Sequence, residues 1–206
     1  MWEDAEEFFL GKDKQSLSLR DKYIGPLIQK WGSCTIKPIS KSKYFEDLVD
    51  AICSQQLSGK AAKTIFGRVK SLLVKVTPEN IILKTDQELR DCGLSWQKVS
   101  YIKDLANKTA NGELKINSLD KLSDDEVISK LVTVKGIGKW TAEMFLMFSL
   151  GRDDVFPVDD LGIKNGFEKV TGKKWNKIES ANFAEKNWKP YRTVASWYLW
   201  RSLENR

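Results

Sequence analysis

The 206-residue sequence contains no histidine. That absence removes Ser-His-Asp and Cys-His activation of a nucleophile, and every zinc site that depends on an imidazole. Acid–base chemistry is left to carboxylates, lysine, tyrosine or cysteine. Cysteine is scarce as well: Cys34, Cys53 and Cys92 stand apart with no Cys-x-x-Cys pair. A zinc knuckle and an iron–sulfur cluster are thereby disfavoured, and the odd count fits a reducing compartment with three small buried thiols. No apolar run approaches the ~20 residues of a membrane span. The acidic start, Met1 to Lys14, has no basic region ahead of an apolar one, so no secretory signal is expected. A soluble intracellular protein is the expectation. What is present is a modest basic excess, 34 Lys and Arg against 28 Asp and Glu for a net charge of +6, together with 8 Trp. The tryptophans are many for this length and need an explanation.

Helical periodicity dominates. Phe45, Leu48, Val49 and Ile52 form one apolar stripe over 44–56, and Ala61, Ile65, Val69 and Leu72 form a second beyond Gly59. Thr77-Pro78 reads as an N-cap followed by proline in the first turn. Thr85 with Glu88 and Ser123 with Glu126 are capping boxes, and Gly93 should stop the helix opened by the first. Ser95 caps a helix carrying Val99, Ile102, Leu105 and Ala106 to about Gly112. A helix from Lys139 to about Ser149 follows the Gly136/Gly138 interruption, and Pro190 opens a last one through Trp200. Only the first forty residues look loosely organised, with Gly25-Pro26 disturbing any helix there. The expected fold is all-α, two helical lobes with a cleft between them.

The segment from Leu131 to Ala142 (L-V-T-V-K-G-I-G-K-W-T-A) is the most informative. Two helices meet at Gly136-Ile137-Gly138, where the glycines permit positive φ and close backbone approach. The N–H groups that open the second helix lack intrahelical partners and suit a phosphate. Lys135 and Lys139 add attraction to a polyanion. A lone Gly-x-Gly would read as an ordinary interhelical turn; the flanking apolar helices and two lysines favour phosphate binding.

Val134-Lys135-Gly136-Ile137-Gly138 followed by Trp140-Thr141-Ala142 resembles the hairpin of the helix-hairpin-helix base-excision glycosylases. Phe156-Pro157-x-x-Asp160-Leu161-Gly162, with Asp160 22 positions after Gly138, is similar to the branch acting on alkylated bases, the 3-methyladenine DNA glycosylases. Ile52-Cys53-Ser54-Gln55-Gln56-Leu57-Ser58 and Gly93-Leu94-Ser95-x-x-Lys98-x-x-Tyr101-Ile102-Lys103-Asp104-Leu105-Ala106 resemble the same branch. These matches cover roughly residues 44–204 in the right order. The resemblance implies one glycosylase unit over 1–206. Within it, 44–120 would form a first lobe with the wedge segment, 121–165 the hairpin and catalytic aspartate, and 1–43 with 166–206 the second lobe. Longer relatives carry an N-terminal β-rich domain, so this chain looks like a compact form.

An alkylated purine such as N3-methyladenine already carries positive charge, so its base departs without prior protonation. No histidine acid is needed. A carboxylate must stabilise the sugar cation forming at C1′ and can orient or deprotonate water. The resemblance assigns this to Asp160, and Asp159 is read as a helix N-cap or first-turn acid. Where the lyase branch carries its nucleophilic lysine this chain has Trp140, and Lys139 lies about 100° away around the helix. A monofunctional hydrolase leaving an abasic site is therefore expected. Aromatic faces attract a flipped cationic base, with Trp140 and Trp200 as candidates, Met144 beside them, and Trp197 in place of Trp200 if the last helix is rotated. The resemblance places the DNA wedge at Gln56 and Leu57, and phosphate binding at Lys135, Gly136, Ile137, Gly138 and Lys139. It also implies a monovalent Na+ or K+ ion on backbone carbonyls of Thr133, Gly136 or their neighbours, with no cofactor required. Duplex DNA carrying alkylated bases is the expected partner and no membrane is involved. The protein would act as a monomer in the cytoplasm or nucleoid of a prokaryote, or in a eukaryotic nucleus. Two other readings are a non-catalytic helix-hairpin-helix DNA-binding module and a glycosylase of different base specificity.

Overall fold

The computed structural model describes residues 2–11 and 21–204. Part of the N-terminal portion assigned above to the second lobe, residues 12–20, lies outside them. The described residues contain twelve α-helices and no strand, as the periodicity predicts. No helix among them is long and apolar enough to cross a membrane. The chain divides into two compact units: residues 39–145, and the segments 1–38 and 146–206 together.

The 39–145 unit holds α3 (Tyr44–Ser54), α4 (Gly59–Leu73), α5 (Pro78–Leu83), α6 (Asp86–Asp91), α7 (Trp96–Ala110), α8 (Asp124–Leu131) and α9 (Lys139–Met144). Its helix starts follow the caps written in the sequence. Thr77 caps α5 with Pro78 in the first turn, Ser95 caps α7, and complete capping boxes open α6 at Thr85/Glu88 and α8 at Ser123/Glu126. Each such cap stabilises its helix by about 1 kcal/mol. The stripes on α3 (Phe45, Leu48, Val49 and Ile52) and α7 (Val99, Ile102, Leu105 and Ala106) bury as spaced, whereas on α4 only Val69 of the expected set is buried, with Ala62 and Leu73 buried in place of their neighbours Ala61 and Leu72. The helix expected from Lys139 to Ser149 is regular only to Met144, and Phe145–Leu150 continue in wider π-helical turns.

The two-segment unit holds α1 (Glu3–Leu10), α2 (Gly25–Trp31), α10 (Leu161–Thr171), α11 (Lys177–Trp188) and α12 (Arg192–Ser202). Two expectations are corrected here. Gly25-Pro26 does not disturb a helix but opens α2, because proline in a first turn sacrifices no intrahelical hydrogen bond. The last helix begins at Arg192 rather than Pro190, where Asp154 Oδ1 accepts from both the Arg192 N–H (3.3 Å) and its Nε–H (2.7 Å).

Most of the tryptophan excess is structural. Trp2, Trp188 and Trp197 are buried, and Trp31 and Trp175 pack on the same core. Trp2 Nε1 also donates to the Ile36 carbonyl at 2.6 Å. All three cysteines are buried and unbridged. Burial pushes the Cys34 and Cys53 thiols up to about 12, so they serve as packing groups.

Candidate active site and hairpin

Helices α8 and α9 are joined by the turn that carries Gly136-Ile137-Gly138. Gly136 has φ +80°, and a Cβ there would fall 2.0 Å from Tyr101 Cδ2. Only glycine can place the turn against that ring. Ile137 is 4% exposed, so its side chain anchors the turn and only its backbone is left to meet a phosphate. Gln55 Nε2 donates to the Gly136 carbonyl at 2.8 Å. From α7, Asp104 Oδ2 accepts the Lys135 N–H at 2.9 Å. Lys108 Nζ donates to that carboxylate oxygen at 2.7 Å and to the Thr133 carbonyl at 2.8 Å. The Lys135 and Lys139 side chains are exposed; Lys139 Nζ lies 3.6 Å from Glu143 Oε1 one turn along α9.

Gln56 and Leu57 form the turn between α3 and α4. Gln56 is exposed at φ +56°, an uncommon conformation for a residue with a side chain, and Leu57 is 38% exposed. Ser58, next in line, caps α4 by accepting from the Ala61 N–H at 3.4 Å. Beneath the turn, Lys98 Nζ donates to the Cys53 and Gln55 carbonyls at 2.7 Å each. It satisfies acceptors that the end of α3 leaves without helical donors. Burial holds the Lys98 ammonium below the ordinary lysine range. Lys98→Met should cost about 1–3 kcal/mol by orphaning those carbonyls, measured as a lower denaturation midpoint. A pocket of about 710 Å³ in this unit is lined by Gln56, Leu57, Tyr101, Gly136, Trp140 and Met144, among others. The structure thus brings the wedge pair, the hairpin glycine and two of the base-contact candidates to one cavity. Trp140 is 45% exposed.

Asp160, in the two-segment unit, is the N-cap of α10. Its Oδ1 accepts from the Ile163 N–H at 2.7 Å and from Trp200 Nε1–H at 2.8 Å. The segment leading to it is tied to α12: Thr193 Oγ1 donates to the Arg152 carbonyl (2.6 Å) and accepts from the Val155 N–H (3.0 Å). Trp200 also stacks on Phe148, with ring centroids 5.9 Å apart. Gly162 makes this contact possible, since a Cβ there would lie 2.7 Å from Trp200 Cδ1. Gly162→Ala should cost about 1–3 kcal/mol through this overlap, and a shift of the chemical-denaturation midpoint would show it.

Two side-chain expectations change. The N-cap is Asp160 rather than Asp159, because the helix starts one residue later than read; Asp159 is exposed and pairs with Lys177 at 2.5 Å. Trp197 does not substitute for Trp200. It is 9% exposed in the core, with Arg201 over its ring at 5.2 Å, while Trp200 occupies the α12 face that meets Asp160. Sequence reasoning missed Gln55, Asp104 and Lys108 as supports of the hairpin. Gln55 stood beside a residue with a more obvious role, and a lysine four residues after an aspartate reads as a surface pair.

A hairpin built on two glycines, followed by an aspartate that caps the next helix, defines a helix-hairpin-helix base-excision architecture. The chain belongs to the HhH-GPD superfamily of base excision DNA repair proteins, whose model matches residues 49–190. It is 39% identical over 173 residues to DNA-3-methyladenine glycosylase 1 of Schizosaccharomyces pombe, covering 81% of this chain and 75% of that protein. It is also 32% identical over 194 residues to the alkylbase DNA glycosidase-like protein mag2 of the same yeast, covering 91% of each. Among solved structures, the S. pombe 3-methyladenine DNA glycosylase in complex with abasic DNA superposes with a TM-score of 0.77 at 35% identity, over 97% of this chain and 96% of that one. The DNA-3-methyladenine glycosidase of Bacillus halodurans gives a TM-score of 0.80 at 34% identity, over 96% and 88%.

Proposed function

We propose that this chain is a monofunctional DNA glycosylase that removes alkylated purines, 3-methyladenine foremost, from duplex DNA and leaves an abasic site. The observation that carries the reading is the Asp160 carboxylate, held at the start of α10 by the Ile163 N–H and the Trp200 indole, within the family match. Relatives named as 3-methyladenine glycosylases support the choice of substrate.

The alkylated base is cationic. As the C1′–N bond breaks, the bonding electrons go to the base and neutralise it, while positive charge develops on the sugar. A fixed carboxylate at that point stabilises the developing charge. Water then adds to C1′ and loses a proton to Asp160 or to solvent, giving the abasic sugar. Asp160 is the catalytic residue, and Trp200 positions it. Trp140 offers an exposed indole face to a positively charged base, with Met144 near it in the same pocket. Gln56 and Leu57, on an exposed turn, are the groups to fill the space a flipped nucleotide leaves. Lys135 and Lys139, with the backbone of Gly136, Ile137 and Gly138, take the phosphates. No lysine occupies position 140, so no Schiff base forms there. The protein acts as a monomer on duplex DNA.

The test is release of free base from a duplex containing one N3-methyladenine or N7-methylguanine. Release without a borohydride-trapped adduct is expected. A trapped adduct would refute the monofunctional mechanism, and tight binding with no release from any alkylated duplex would refute the enzyme.

A further inference from the structure

The family resemblance brings an expectation of an alkali cation on carbonyls of the hairpin turn, and the two carbonyls it names, those of Thr133 and Gly136, are already bonded within the chain. Six of its carbonyls are engaged within the chain. Lys130 O accepts from Thr133 N at 3.3 Å and Oγ1 at 2.7 Å, Leu131 O from Val134 N, Val134 O from Ile137 N, and Gly138 O from Ala142 N, the last three at 3.1 Å. Gly136 O takes the Gln55 amide and Thr133 O takes the Lys108 ammonium, both at 2.8 Å. A metal ion on Thr133 O would sit against a full positive charge already bonded to that oxygen.

We propose that the Lys108 ammonium stands where a bound cation would be needed, and that with Asp104 it clamps the hairpin in its binding shape. Asp104 and Lys108 lie one turn apart on α7 and share an ion pair of 2.7 Å. Their side chains are only 17% and 22% exposed, so salt screens the pair weakly. The ammonium reaches Thr133 O, while the same carboxylate oxygen holds the Lys135 N–H. One charge pair therefore fixes the backbone at 133 and at 135, just ahead of Gly136. Burial alone would raise the Asp104 carboxyl, but the Lys108 hydrogen bond and the Lys135 N–H outweigh it and hold the group below the usual carboxylate range. Lys108 is a positioning residue: it acts through the turn and touches no substrate. Its importance for DNA rests on the proposed function; the clamp itself does not.

Hydrogen exchange of the intact chain, read on peptides covering 131–139, tests this in sodium, potassium and N-methyl-D-glucamine chlorides of equal ionic strength. The wild-type hairpin should exchange at the same rate in all three. Lys108→Met should exchange about tenfold faster in the organic salt and slow again in sodium or potassium, as a metal enters the vacated position. Faster wild-type exchange on removal of alkali ions would overturn the proposal, and that arm needs no variant. A Lys108→Met hairpin as protected as wild type would overturn it too. So would lost protection that no alkali ion restores, which would make Lys108 an ordinary brace. Duplex binding in the same salts separates the two readings: a hairpin that behaves as expected in a protein that binds no duplex leaves the clamp standing and removes the DNA role.

Discussion

Asp160→Asn should abolish most base release while leaving the fold and duplex binding intact. Asparagine caps a helix as well as aspartate does. Its carbonyl oxygen can keep both bonds that Asp160 Oδ1 now accepts, from the Ile163 N–H and the Trp200 indole. What disappears is the negative charge. Loss of one fixed group that stabilises transition-state charge typically slows a reaction by about 10²–10³-fold, and single-turnover release of 3-methyladenine measures it. Asp160→Ala is a poorer probe, because it also removes a cap worth about 1 kcal/mol. An Asp160→Asn protein with near-normal release would move the chemistry to another group.

The second large effect is expected at Gly136. Alanine there must adopt φ +80° and place its Cβ at 2.0 to 2.5 Å from three atoms of the Tyr101 ring. The backbone conformation alone costs about 1–3 kcal/mol, and displacing the ring about as much again. For a chain of this size each kcal/mol lowers the melting temperature by about 2–4 °C. Gly136→Ala should therefore melt roughly 4–24 °C lower and bind duplex more weakly, since the turn carries the proposed phosphate contacts. Combining it with Tyr101→Ala isolates the steric part. The double variant should recover binding relative to Gly136→Ala, with the penalty for positive φ remaining. If the double variant binds no better, the ring is not what demands glycine.

The elements that were legible share one property: their causes lie within about four residues of the effect. Thr85/Glu88 and Ser123/Glu126 start helices because cap and partner are three apart. The α3 and α7 stripes bury because their spacing matches the helix turn. The errors were of range or of one-residue phase. Pro26 reads as a breaker because its neighbours in sequence do not show that a helix begins there. Asp159 and Asp160 differ by one position, and which of them caps depends on where Pro157 and α12 set the chain.

The sequence by itself determined an all-α chain, its capped helix starts, the glycine turn and the absence of imidazole chemistry. Those follow from local propensity and composition, which need no knowledge of neighbours in space. The tertiary structure alone decided which long polar side chains find which partners. Trp200 rather than Trp197 meets Asp160 across 40 residues of chain, and Gly162 is the vacancy that admits it. Lys108 reaches Thr133 across 25 residues, and Gln55 reaches Gly136 across 81. A lysine or glutamine has the same rotamers and the same donors on any exposed face, so its spacing carries no record of its acceptor. Packing makes that choice by leaving a particular carbonyl short of a donor within reach.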